Sequence, residues 1–154
     1  MIDTKKYEET GFLFPINVVG AEEINLIRKD FESAEKELAH DPKRLSLLRS
    51  YPAQLLPLFD KLIRNENLVA AASAVLGPDL MVWSSGMFIK EASSPKIVTW
   101  HQDLTYWGLD NDEETTCWVA LSKANKASGW MKFIPGSHKD KIVAHVDTFD
   151  DNNL

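Results

Sequence analysis

The chain has 154 residues, 44% of them hydrophobic, which is enough material for one domain with a core of its own. Its formal charge of -6 at pH 7, with the 17 Lys and Arg scattered rather than clustered, leaves no basic face to neutralise phosphates and excludes nucleic acid as an expected partner. Cys117 stands alone, so no intramolecular disulfide can form, and a reducing, cytoplasmic setting is expected.

The opening stretch, MIDTKKYEETGFLFPINVVG, carries acidic residues at its start, and its apolar run is broken by Pro15 and Asn17, so it does not read as a signal peptide. In AEEINLIRKDFESAEKELAHD the apolar residues Ile24, Ile27, Phe31, Ala34 and Leu38 recur at helical spacing, with Glu22 and Glu23 suited to the positive first turn. This predicts an amphipathic helix ending near His40, whose charge would suit the negative C-terminal dipole. Pro57 can open a second helix through LPLFDKLIRN, and ENLVAAASAVLG reads as a third, stopped by Gly77-Pro78. The apolar run of that third segment is too short to cross a bilayer, so no membrane association is expected.

From Leu80 onward β-branched and aromatic residues dominate, in LMVWSSGMFIKEA, KIVTWHQD, TTCWVALSKA, GWMKFIP and KIVAHV, separated by segments with turn chemistry. About five strands with no helix between them imply an antiparallel sheet with the helices packed on one side, an α+β chain. The expected division within one domain is a helical part over about 1–78 and a strand part over about 79–154.

The segment TWHQDLTYWGLD places His101 and Asp103 two positions apart in what reads as a strand end. Side chains alternate along a strand, so the pair would share a face, with Cα atoms about 7 Å apart and Trp100 and Gln102 turned the other way. One imidazole nitrogen and one carboxylate oxygen could then reach a common cation; a hydrogen-bonded surface pair is the plainer alternative. His145 repeats the spacing with Asp147, but the apolar alternation of Ile142, Ala144 and Val146 turns it outward, as an exposed pair on an edge strand. A serine hydrolase built on Ser137 has no G-x-S-x-G elbow to support it.

"WHQDLTYWGL", "WVALSKANKASGWMKFIPGSHK" and the upstream "MFIKEASSP" together resemble the phytanoyl-CoA dioxygenase family of iron(II), 2-oxoglutarate-dependent oxygenases, in order as well as spacing. The resemblance implies N-terminal helices packed on an antiparallel double-stranded β-helix, or jelly roll, with a 2-His-1-carboxylate iron(II) site. It puts His101 and Asp103 on the proximal ligand pair, which leaves metal positions for 2-oxoglutarate and dioxygen and serves oxidation of an aliphatic C–H bond in a small-molecule substrate. Relatives that halogenate have a small residue where Asp103 stands, so hydroxylation is expected.

By the same resemblance Trp118 matches a tryptophan lining the 2-oxoglutarate pocket, with a core tryptophan as the equal alternative. Lys90 matches a lysine that could meet an anionic group, although a plain surface lysine is the favoured reading. Arg49 lies roughly where relatives place a basic residue for the co-substrate. Tyr106 and Trp107 could shape the substrate mouth or simply pack. His138, in IPGSHK, falls on a family turn rather than on a ligand. The distal histidine and the arginine that pairs with 2-oxoglutarate are expected well after that turn, where this sequence stops. The expectation is therefore a C-terminally truncated domain, incomplete as a jelly roll and impaired as an enzyme, with unpaired strand edges that favour self-association. The alternative is a non-catalytic binding or assembly module that keeps part of the roll.

Overall fold

The computed structural model describes residues 2–146 and 150–152. Its first half is a helical layer, and the longest helix is the one the periodicity predicts. We label the helices in chain order: α1 Thr4–Thr10, α2 Ala21–Leu38, α3 Pro42–Ser50, α4 Pro52–Leu55, α5 Pro57–Ile63 and α6 Glu66–Leu76. Ile27 and Phe31 of α2 are buried, as their spacing requires, and Glu22 and Glu23 occupy its first turn. Asn65 caps α6 by accepting the Asn67 and Leu68 N–H groups, and Gly77 ends it at φ +93°, a conformation that side chains with a Cβ avoid. α2 closes at Leu38, so His40 lies in the turn beyond it.

One core joins helices α2 to α5: Ile27, Phe31, Leu48, Ala53, Phe59 and Leu62 are buried together, with the Phe31 and Phe59 rings 5.8 Å apart. Three of these helices, α1, α3 and the short α4, lie outside the predicted set. α1 has no buried residue; Asp3 caps its start by accepting the Lys6 N–H and Gly11 closes its last turn. α3 begins at an Asp41-Pro42 cap and buries Leu48. No helix among the described residues is long and apolar enough to cross a membrane.

The second half departs from the sequence reading. Five strands were expected; among the described residues there is no strand, only an isolated bridge residue at Ile97, whose N–H donates to the Asn152 carbonyl at 2.8 Å. The segments run extended but do not exchange ladder hydrogen bonds with one another, and a strand exists only through such a ladder. The expected alternation survives without it. Met87 and Ile89 turn inward and pack against the helical core while Phe88 and Lys90 face out, and Val119 and Leu121 pack inward while Trp118 and Ala120 face out. Backbone contact with the helices is direct at one point, where the Met87 N–H donates to the Arg49 carbonyl at 2.8 Å. The outward faces leave large apolar side chains in water, with Met81 86%, Phe88 71% and Val146 83% exposed.

Candidate metal centre

His101 and Asp103 do come together, by a route other than a strand. Asp103 has helical backbone angles, φ -54° and ψ -44°, and precedes a single-turn helix, α7 (Leu104–Trp107), which Gly108 terminates at φ +62°. The two side chains lie side by side, with His101 Nε2 3.1 Å from Asp103 Oδ1. Trp107 anchors α7 by stacking on Trp83, ring centroids 5.1 Å apart and planes within 5°.

Each member of the pair is held by a second contact. His101 Nδ1 lies 2.8 Å from the Thr99 carbonyl oxygen. A carbonyl can only accept, so Nδ1 carries the hydrogen, and in the neutral ring the lone pair sits on Nε2, facing the carboxylate. Thr116 Oγ1 donates to Asp103 Oδ2 at 2.6 Å, which leaves Oδ1 as the oxygen turned toward the imidazole. A lone pair and a carboxylate oxygen at this separation repel unless one positive species lies between or beside them. A proton on Nε2 gives an imidazolium–carboxylate ion pair; a metal ion uses both atoms as ligands. The 3.1 Å spacing fits the second case, since adjacent ligands on an octahedral ion with bonds of about 2.1–2.2 Å stand about 3.0 Å apart. The carbonyl-bound Nδ1–H is also the support that metal-ligating histidines ordinarily have.

Glu114 adds to the negative charge. Its carboxyl is pushed above the ordinary glutamate value, first by burial and then by the charge of Asp103, and its Oε2 is buried without a hydrogen-bond partner. An unsatisfied acceptor beside a carboxylate–imidazole pair is what a cation or a retained proton would satisfy. Among the described residues no group of three or more His, Cys, Asp and Glu converges as a metal site.

Gln102 has structural contacts, and His145 corrects an expectation. The Gln102 N–H donates to His145 Nε2 at 2.9 Å, and its side-chain oxygen accepts the Val143 N–H at 3.0 Å. His145 is not an exposed edge residue but is half-buried in this clasp, with Nδ1 against the Val143 carbonyl at 2.8 Å and Thr105 Oγ1 at 3.2 Å. Asp147, its expected partner, lies outside the described residues. Tyr106 stands edge-on to both imidazoles, centroids 6.1 Å from His101 and 5.7 Å from His145.

The other expected site residues are spread around this pair rather than joined to it. Trp118 is 43% exposed and shares an outward face with Thr116. Lys90 is exposed, its chain lying over Gly129. Arg49 donates through Nε to Glu35 at 2.7 Å and lies 3.9 Å from Glu91, so its guanidinium ties α3 to α2. His138 packs against α1, with Nε2 3.1 Å from the Glu8 carbonyl, a structural contact in keeping with its place in a turn. Thr116, Glu114 and the Gln102–His145 clasp were not singled out from the sequence. The one signal for Thr116 was that it shares strand parity with Trp118.

Comparison with known proteins relates the chain to solved non-heme oxygenase structures. The solved apo structure of the non-heme monooxygenase ThoJ superposes with a TM-score of 0.63 at 26% identity, over 69% of this chain and 42% of that one; its nickel complex gives 0.59 at 25% identity, over 66% and 42%. Residues 7–153 match the phytanoyl-CoA dioxygenase (PhyH) family, and the chain belongs to that family. Ectoine dioxygenase of Streptomyces avermitilis is 27% identical over 97% of this chain and 55% of its own length. A Stutzerimonas stutzeri protein named "Probable alpha-ketoglutarate-dependent hypophosphite dioxygenase" is 33% identical over 56% of this chain and 30% of its own length. The chain spans about half the length of the ectoine dioxygenase it matches.

Proposed function

We propose that this chain contributes two of the iron(II) ligands, His101 Nε2 and Asp103 Oδ1, to a 2-oxoglutarate-dependent dioxygenase that hydroxylates an aliphatic C–H bond of a small molecule. The observation that carries the reading is the His101–Asp103 pair: a lone pair on Nε2, implied by the Thr99 contact of Nδ1, faces a carboxylate oxygen at 3.1 Å. Iron(II), when bound, supplies dioxygen activation coupled to oxidative decarboxylation of 2-oxoglutarate. The chain's own residues do the holding. Thr99 keeps the imidazole in its ligating tautomer, and the Gln102–His145 clasp fixes the peptide between the two ligands.

Trp118 is proposed as a wall of the co-substrate pocket, since it is exposed on the face it shares with Thr116, the residue bonded to Asp103. Lys90 and Arg49 are proposed as cationic partners for 2-oxoglutarate. Arg49 would have to leave Glu35 to take that role. The extended segments between 80 and 146 are proposed as strands of the jelly roll, on the strength of the alternating burial at Met87, Ile89, Val119 and Leu121.

Anaerobic addition of iron(II) and 2-oxoglutarate tests the reading. A visible charge-transfer band is expected, lost in His101→Ala. No band in the unsubstituted protein, or an undiminished band in the variant, refutes the assignment. A second reading, a non-catalytic assembly module, draws support from the exposed Met81, Phe88 and Val146. It predicts a folded chain that associates with itself and takes up no metal in the same titration.

A further inference from the structure

We infer that Thr116 is a positioning residue for the Asp103 carboxylate, selecting which oxygen faces the metal. The inference rests on the proposed iron reading and adds a residue to it. A carboxylate on a two-torsion stem can present either oxygen, or both, and rotates among these arrangements unless something takes one oxygen out of use. Thr116 does so. Its single hydroxyl hydrogen goes to Oδ2 at 2.6 Å, within the range of a short charge-assisted bond, while Oδ1 stays 3.1 Å from His101 Nε2. The β-branched Thr116 is stiff about χ1, so the hydroxyl is held in place more firmly than that of a serine would be.

The surroundings assign this contact to orientation rather than to stability. The Asp103 side chain is 37% exposed and Thr116 is an exposed residue, so water can replace the hydroxyl at Oδ2 with little loss to the fold. Water replaces the hydrogen bond but not its direction. Among the described residues no other side chain is hydrogen-bonded to Asp103 Oδ2, and the neighbouring Glu114 carboxyl can only repel it when charged. Loss of the hydroxyl should therefore leave the carboxylate free to rotate while folding is nearly unchanged.

Mn(II), a paramagnetic stand-in for iron(II), gives a test that needs no turnover. Its dissociation constant is measured by electron paramagnetic resonance in the unsubstituted chain, Thr116→Val, Thr116→Ser and His101→Ala, with thermal unfolding of each metal-free protein alongside. Removing an outer partner of a metal-ligating group ordinarily weakens metal binding about 10–100-fold, so Thr116→Val should fall in that range and Thr116→Ser should restore most of the affinity. Unfolding temperatures of the two Thr116 variants should match the parent. If His101→Ala abolishes binding and Thr116→Val binds as the parent does, the Thr116 inference is overturned and the ligand assignment stands. If His101→Ala binds normally, or the parent does not bind, the ligand assignment fails and takes this inference with it. A valine variant that loses both affinity and unfolding temperature also overturns the inference, because the contact would then be structural.

Discussion

Replacing His145 by alanine should open the clasp that holds the peptide between the two proposed ligands. Two contacts cross between residues 102–105 and the His145 ring: the Gln102 N–H donates to Nε2 at 2.9 Å, and the Nδ1–H, which also meets the Val143 carbonyl, reaches the Thr105 hydroxyl oxygen at 3.2 Å. At about 0.5–1.5 kcal/mol net for each bond, the pair contributes about 1–3 kcal/mol to keeping the segment closed. That corresponds to amide exchange at Gln102 faster by about 5–150-fold. The return contact, Val143 N–H to Gln102 Oε1 at 3.0 Å, is left intact by the substitution and serves as an internal reporter. Hydrogen–deuterium exchange followed by NMR should therefore show both amides slowed in the parent. In His145→Ala the Gln102 amide should accelerate within the stated range, and the Val143 amide should accelerate with it if the clasp opens as one unit. An unchanged Gln102 rate, or a Gln102 amide already exchanging at the free-peptide rate in the parent, would show that the clasp does not hold the segment.

Glu114 gives a pH-dependent prediction for the metal-free protein. Its folded-state carboxyl keeps its proton above the ordinary value of 4.5, so folding takes up a proton in that window, and its contribution to stability declines as pH rises through it. Glu114→Gln should match the parent in unfolding temperature below pH 4.5 and exceed it increasingly toward neutrality; a difference independent of pH would contradict the burial argument. In the helical layer, Leu48 is 2% exposed, and Leu48→Ala should cost about 2–5 kcal/mol in urea unfolding. A cost below about 1 kcal/mol would mean that the helices do not share the single core described above.

The helical layer was legible where the signal was local. α2 follows from the spacing of Ile27 and Phe31, and α6 stops at Gly77 because its backbone takes a positive φ. α1 was not legible through periodicity, because TKKYEET has no apolar stripe and the helix depends on the Asp3 cap and on Gly11. α3 had a usable cue in Asp41-Pro42 and the first-turn bond of Asp41 to the Arg44 N–H. In the second half the alternation of Met87 with Phe88 was correct as a statement about faces. Ladder pairing is nonlocal, and a period of two cannot supply the partner. That His101 and Asp103 lie together was legible from residue type and spacing, but their backbone setting was not. Leu104-Thr105-Tyr106-Trp107 folds as one helical turn directly after the pair, where a strand end was expected.

The manner of that pairing bears on how little surrounding structure the site requires. A ligand pair on a strand takes its geometry from the ladder, so it would be lost wherever the ladder is absent. Here the Nδ1 contact comes from a carbonyl two residues upstream, the backbone bend from a single helical turn closed by Gly108, and the anchoring of that turn from the stack of Trp107 on Trp83. Besides the Trp83 ring that anchors the turn, the Thr116 hydroxyl and the His145 ring arrive from distant sequence. The nitrogen lone pair and the backbone bend are therefore set locally, while the direction of the carboxylate and the closure of the segment depend on the Thr116 and His145 contacts. Thr116 and His145 are accordingly the positions at which the site should be most sensitive to how the remaining extended segments are arranged around it.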